Sequence, residues 1–404
     1  MKKVFLSAIL ITALFLTGCG SIKDKDIRND FIKDASNMKS YYMEGILKIT
    51  NNDDSYEYNV KTSYKKDNYY KVSLVNKSNK YEQIILKNKD GVYVITPSLN
   101  KSFKFQSDWP NNNSQSYLID SVAVDLKNDD DYVFTKKNSD YIFTIKTNYP
   151  NNPKYTKQNI ILDKAKKLKK VEVQDDEGIT YVEYEVKRLE KNKSFSDKDF
   201  SLEELTKAFE VADNKEKIGE ANNENSTSSN NNYEDNNTST TDSSDTNQNS
   251  GVDSRTEKNS NINMNNNTDY NNSANSGNID NSNKTSQTSK INDSVFPLYL
   301  PSNTSLSDKE VINTKDGQRV IMTFSGDNPF ILVQETAAPS NNLEVIPTYG
   351  EPFMLVDTVG SLTDTSYTWT SNGTEYYIVS DQMDKKELLE VAKSINVMSV
   401  ISEK

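Results

Sequence analysis

The sequence predicts a mainly β (α+β) protein, with an N-terminal helix and a long antiparallel sheet, then a low-complexity linker and a small α+β C-terminal domain. Three observations carry this reading. In residues 56–64, Tyr56, Tyr58, Val60, Thr62 and Tyr64 share one face, and Glu57, Asn59, Lys61 and Ser63 the other. That is the period of a strand wet on one side. Ile84-Ile85-Leu86 and Val92-Tyr93-Val94-Ile95 are apolar on both faces and are joined by Asn88-Lys89-Asp90-Gly91, a hairpin signature. Between about 220 and 292 the composition turns abruptly to asparagine and serine, and no periodicity of 2 or 3.6 survives.

Residues 1–18 read as a signal peptide. Lys2 and Lys3 precede an apolar run from Val4 to Leu16 that is too short to span a bilayer. Leu16-Thr17-Gly18-Cys19 resembles the bacterial lipobox, which implies cleavage between Gly18 and Cys19 and a diacylglyceryl group on Cys19. Two acyl chains anchor far better than one. The expected location is therefore the extracytoplasmic face of the cell membrane, held by lipid. Cleavage removes Lys2 and Lys3, so the mature chain is more negative than the formal −11 of the whole.

Within the predicted domain 19–212, residues 22–39 place Ile27, Phe31, Ala35 and Met38 at helical spacing. Residues 114–126 break the strand rhythm and put Tyr117, Leu118, Val122 and Leu126 on one helical face. Further strands are expected at 141–147, 158–162, 170–174 and 180–189. Ser201-Leu202-Glu203-Glu204 opens a short closing helix to Phe209. Residues 213–293 read as a disordered linker whose isolated apolar residues, such as Val252, Ile262 and Ile279, cannot offset the entropy of ordering. A coil over about 220–292 spans about 45–50 Å, so the flanking domains are expected to move independently. In 294–404, strands are expected at 319–324, 330–335, 352–356 and 375–379, with a tight turn at Ser371-Asn372-Gly373-Thr374. Asp384 caps a helix carrying Leu388, Leu389, Ala392 and Ile395 on one stripe.

The helix, the Tyr-Tyr-Met-Glu-Gly start at Tyr41, and the block from Gly91 through Asp108-Trp109-Pro110 to Leu118 resemble the LolA-like lipoprotein family. The likeness is to its branch of sporulation and germination lipoproteins of Gram-positive spore formers, over about residues 22–210. The resemblance implies an unclosed, curved antiparallel half-barrel with helices plugging its concave side and an apolar cavity between. It also implies carriage of acyl chains or binding of protein partners. The C-terminal segment is similar to an uncharacterised domain at the C-termini of bacilli and clostridia lipoproteins, through Tyr367-Thr368-Trp369 and Tyr376-Tyr377-Ile378-Val379.

The chain has no histidine and a single cysteine in 404 residues. This removes serine–histidine triads, histidine-ligated zinc and intramolecular disulfides. The acidic balance argues against nucleic acid. Asp129-Asp130-Asp131 and Asp175-Asp176-Glu177 lack calcium-loop spacing and read as solvated turns. No catalytic residue, metal or cofactor is expected. The strands at 83–86 and 92–95 need cover on both faces, and the first helix supplies only one. The second face is covered either by the 114–126 helix or by a ligand in a small cavity near Tyr93, Phe103, Trp109 and Leu118. Three functions follow as expectations: a membrane-anchored protein binding a protein partner or an acyl chain, a sensor gripping a membrane protein such as an anti-sigma factor, and a carboxylate-based wall hydrolase.

Overall fold

The computed structural model describes residues 23–209, 291 and 294–396, apart from 52, 53, 112, 316 and 356. Gly18, Cys19 and the 213–290 stretch lie outside the described residues. Helix α1, Asp24–Asn37, buries Ile27, Phe31 and Ala35. Asp24 and Asp26 in its first turn suit the positive end of the helix dipole. Six strands follow: β1 (Ser40–Asn51), β2 (Asp54–Lys65), β3 (Tyr69–Asn76), β4 (Glu82–Asn88), β5 (Gly91–Thr96) and β6 (Lys101–Phe105). Helix α2, Ile119–Asn128, comes next. The sheet then resumes with β7 (Val133–Lys137), β8 (Asp140–Lys146), β9 (Lys157–Leu162), β10 (Leu168–Gln174) and β11 (Thr180–Lys191). A short helix α3 over 202–209 closes this part.

The alternation in β2 holds over 58–62, where Tyr58, Val60 and Thr62 are buried and Asn59 and Lys61 exposed; Ser63, expected on the wet face, is buried. Gly91 takes the positive φ of 137° that the hairpin turn requires. In the sheet, β1 pairs with both β2 and β11, so the strands run β6 to β1 and then β11 to β7. One apolar core unites Ile27, Phe31, Ile119, Val122 and Leu126 of the two helices with Val72 and Val94 on one wing and Phe143 and Val171 on the other. Strands at both ends of a long sheet can meet the same two helices only if the sheet curves around them. The result is an unclosed, mainly β half-barrel with helices on its concave side. Gly45 sits at a bulge in β1, where a Cβ would lie 2.4 Å from the buried ring of Tyr184.

The C-terminal part contributes β12 (Thr304–Thr314), β13 (Gly317–Gly326), β14 (Phe330–Thr336), β15 (Glu344–Thr348), β16 (Glu351–Met354), β17 (Val359–Leu362), β18 (Ser366–Ser371), β19 (Thr374–Val379) and helix α4 (Lys385–Asn396). Seven of these strands form a second sheet. Its core joins Val320, Met322, Leu332, Trp369 and Ile378 to the α4 stripe of Leu388, Leu389, Ala392 and Ile395. Asn372 and Gly373 turn with φ of 48° and 75°, and the Asp384 carboxylate accepts the Glu387 N–H at 2.8 Å.

Two expectations change. The segment 114–118 is not helical; α2 starts at Ile119, because Gln115 and Leu118 are held in turns. The parts flanking the linker are also not independent, since the described residues fall in one compact unit. Strand β15 adds in parallel to the edge strand β6, making a twelve-stranded sheet. Buried Gln83 of β4 brackets one residue of the C-terminal part. Its Nε2 donates to the Val359 carbonyl at 3.1 Å, while its Oε1 accepts from the Val359 N–H at 2.6 Å and from Thr358 Oγ1 at 3.1 Å. Val359 itself belongs to the half-barrel core. The linker composition could not report any of these contacts.

Candidate functional site

Strand parity decides what faces the concave side. In the β4–β5–β6 register, Ile85 pairs with Val94 and Val94 with Phe103, while Leu86 pairs with Tyr93 and Tyr93 with Lys104. Phe103 therefore faces inward and Tyr93 outward. The outer face is covered by neither of the two covers expected. It packs Ile84, Leu86, Tyr93 and Ile95 against Phe200, with Phe195, Leu202, Leu205 and Phe209 around them. A capping box between Ser196 and Asp199 fixes the chain there.

The four candidate pocket residues are thus not gathered in one cavity. Tyr93 lies on the outer face, with the Lys104 ammonium 5.5 Å from its ring centre. Leu118 is fully buried in the inner core. Trp109 and Phe103 line two different cavities.

The Trp109 cavity measures about 110 Å³. Strands β1 and β11 give it Leu47, Ile49, Tyr181 and Val182, and the β8–β9 loop gives Tyr149 and Tyr155. The C-terminal part closes it with Phe353, Met354 and Val359, and Glu390 and Lys393 of α4 stand at its margin. Its aromatic wall is continuous: Tyr149 meets Tyr155 edge-on at 5.4 Å, and Tyr155 meets Tyr181 at 5.6 Å. The Phe103 cavity, about 280 Å³, lies between β5–β6 and Tyr349, Gly360 and Trp369. The sequence reading named one wall residue of each, Trp109 and Phe103, but placed them in a single cavity and missed the other walls, because each cavity is built from residues far apart in the chain. The apolar residues of 352–356 were a visible signal, but they were assigned to a separate domain.

Behind the first cavity lies a buried polar group. Asp120 of α2 accepts the Tyr41 hydroxyl at 3.0 Å and the Tyr70 hydroxyl at 2.5 Å. The rings of Tyr41, Tyr64, Tyr70 and Trp109 follow one another at 5.0, 5.1 and 5.6 Å. Burial pushes the Asp120 carboxyl up, and the two phenols partly oppose that shift. Both carboxylate oxygens are engaged, so the group fastens α2 to the sheet. Asp125 is pushed up to about 6, chiefly by burial, with Ser114 and Gln158 acting the other way. Asp357 also rises to about 6 by burial; it accepts the Ser371 hydroxyl at 2.7 Å.

The acidic runs brace turns. Asp129 accepts the N–H groups of Asp131 and Lys146, and Asp175 accepts those of Glu177 and Ile179. Among the described residues no cluster of histidine, cysteine and carboxylate side chains could hold a metal ion, and no helix is long and apolar enough to cross a membrane.

Fold and site define a class: an open antiparallel half-barrel, plugged by helices, whose concave mouth is covered by its own C-terminal part. The chain is 32% identical over 405 residues to the sporulation protein YdcC of Bacillus subtilis (strain 168), an alignment covering 99% of each chain. It belongs to the family of that sporulation protein, and the match runs through both folded parts and the stretch between them. No family model matches. Among solved structures, the chain is similar to the Pseudomonas aeruginosa MucA/MucB complex, with a TM-score of 0.28, 9% identity, and coverage of 91% of this chain and 98% of that one. It is similar also to the LolA superfamily protein NE2245 from Nitrosomonas europaea, with a TM-score of 0.28, 12% identity, and coverage of 45% and 99%.

Proposed function

We propose that this sporulation protein is a lipoprotein, anchored through Cys19 on the extracytoplasmic face of the membrane, that binds a protein partner at its concave mouth. The observation that carries the partner reading is the size and lining of the Trp109 cavity. Strands β1 and β11, the segment before α2, the β8–β9 loop and the C-terminal residues 352–355 and Val359 leave about 110 Å³. A dry cavity of about 150 Å³ takes one benzene, so this one suits a single anchoring side chain and is several times too small for a long acyl chain. Its tyrosine and tryptophan walls resemble the well-packed pockets that receive such anchors at protein interfaces.

A photo-cross-linking residue in place of Tyr155, at the cavity wall, tests this in sporulating cells. A discrete protein adduct at this position, absent when the probe replaces exposed Lys89, is the expected result. Adducts to lipid alone would overturn the partner reading. The anchor is tested separately: Cys19→Ala should abolish incorporation of labelled fatty acid, and undiminished label would remove the lipoprotein assignment.

A further inference from the structure

The half-barrel is electrically polarised along its strands, which the overall charge of −11 conceals. In strands β7 to β11 the registers set the β7–β8 turn beside the β9–β10 turn at one end. An ion pair of 2.6 Å between Lys169 and Asp140 ties the two turns together. These turns and the strand ends beside them carry Lys136, Lys137, Lys164, Lys166, Lys167 and Lys169 against two carboxylates, Asp140 and Asp163. Lys166 pairs with Asp30 of α1 at 2.5 Å. Lys136, Lys137, Lys164 and Lys167 are exposed, and no carboxylate among the described residues pairs with them. At the opposite end of the same strands stand Asp129, Asp130, Asp131, Asp175, Asp176 and Glu177, which outnumber Lys146, Lys154 and Lys157 there; Lys146 pairs with Asp131 and Lys157 with Asp176.

Neighbouring strands are about 4.8 Å apart, so Lys136, Lys137, Lys164 and Lys167, which no carboxylate among the described residues neutralises, lie within a few Debye lengths and act as one field. We propose that this lysine-bearing end is a docking face for an anionic lipid bilayer. The chemistry favours a bilayer over a protein. Lysine is depleted from protein interfaces, where arginine and aromatic rings are enriched. These turns carry neither arginine nor any of the exposed large hydrophobic residues. Compact ammonium charges on short turns with no groove between them match a planar layer of mobile headgroups. The contact is distinct from the Cys19 anchor. Helix α1 starts at the acidic end, where Asp24 accepts the Tyr132 hydroxyl at 2.7 Å, and only its middle reaches the basic turns through Asp30.

The test uses the chain from Gly20 onward, which keeps every described residue and lacks the acylation site. Vesicles of phosphatidylcholine alone, or with about one-third phosphatidylglycerol, are floated with this protein at about 0.1 M salt. Co-flotation with the anionic vesicles only, lost at high salt, is expected. Each lysine near an anionic surface is worth about fivefold, so replacing Lys136, Lys137, Lys164 and Lys167 together by Gln should weaken partitioning by roughly several hundredfold. A control replacing Lys89, Lys207, Lys309 and Lys386 by Gln removes the same charge elsewhere and should retain most of the binding. Equal partitioning to neutral and anionic vesicles, or an equal loss in the control, would overturn the proposal. Loss of Cys19 acylation in cells leaves it untouched.

Discussion

Gln83→Leu keeps the volume of a buried side chain while removing the amide that brackets Val359. Three hydrogen bonds disappear, and the Val359 N–H and C=O are left without the partner that held them in the half-barrel core. A buried backbone group without a partner costs about 1–3 kcal/mol, so the loss should total about 2–5 kcal/mol. With a urea slope of about 2–3 kcal/mol per molar, the midpoint should fall by about 1 M or more. The two tryptophans make the assay direct, because Trp109 lies in the half-barrel and Trp369 in the C-terminal part. Single-tryptophan versions, with the other changed to Phe, should unfold at one common midpoint. In Gln83→Leu, the Trp369 signal should move to lower urea by more than the Trp109 signal. An unchanged midpoint, or two separate transitions before any change at Gln83, would refute the view that this bracket joins the parts into one cooperative unit.

Gly45→Ala should lower stability by about 1–3 kcal/mol, read as a fall in melting temperature, because the new Cβ meets the Tyr184 ring, which is fully buried and cannot retreat. Asp125 and Asp357 have folded-state pKa values raised to about 6, so their ionisation opposes folding. Stability should be greatest below about pH 4 as far as these two groups are concerned and should fall as pH rises through 6. Asp125→Asn should accordingly be stabilising at pH 7 by on the order of 1–2 kcal/mol and should flatten the profile there, as thermal melts at pH 5 and 7 would reveal. Proteolysis within 213–293 should give two fragments that elute together in gel filtration, held by the β6–β15 pairing and the Gln83 bracket; separate elution would contradict that pairing.

Local patterns were legible where one side chain or one turn decides the outcome. The β2 alternation over 58–62, the Asn88–Gly91 and Asn372–Gly373 turns, and the Asp384-capped helix all occur as read. Strands β7 and β12 escaped notice because they are edge strands, largely exposed, and carry little apolar periodicity. Tyr93 was grouped with Phe103 because both belong to apolar strands, yet the register pairs Tyr93 with Lys104 and sends it to the other face. The cavity depends on pairings such as Gln83 with Val359, 276 residues apart, for which a single sequence holds no local signal. Pro347 in β15 offered a hint of an edge, since proline is tolerated only where one side of the strand goes unpaired.

The parallel addition of β15 to β6 also has a consequence in time. A chain delivered from its N-terminus presents β1 to β11 long before residues 344–362 emerge, so the half-barrel must wait with an open mouth and an unpaired edge. Contacts between segments so far apart fold slowly, because the intervening loop must close before they contribute. During that interval the β6 edge is a template for any extended strand, the hazard that chaperones and protective charges usually manage. The last step of folding is then the arrival of a strand from the far end of the chain, and truncations removing that strand should yield a protein prone to pair with its neighbours.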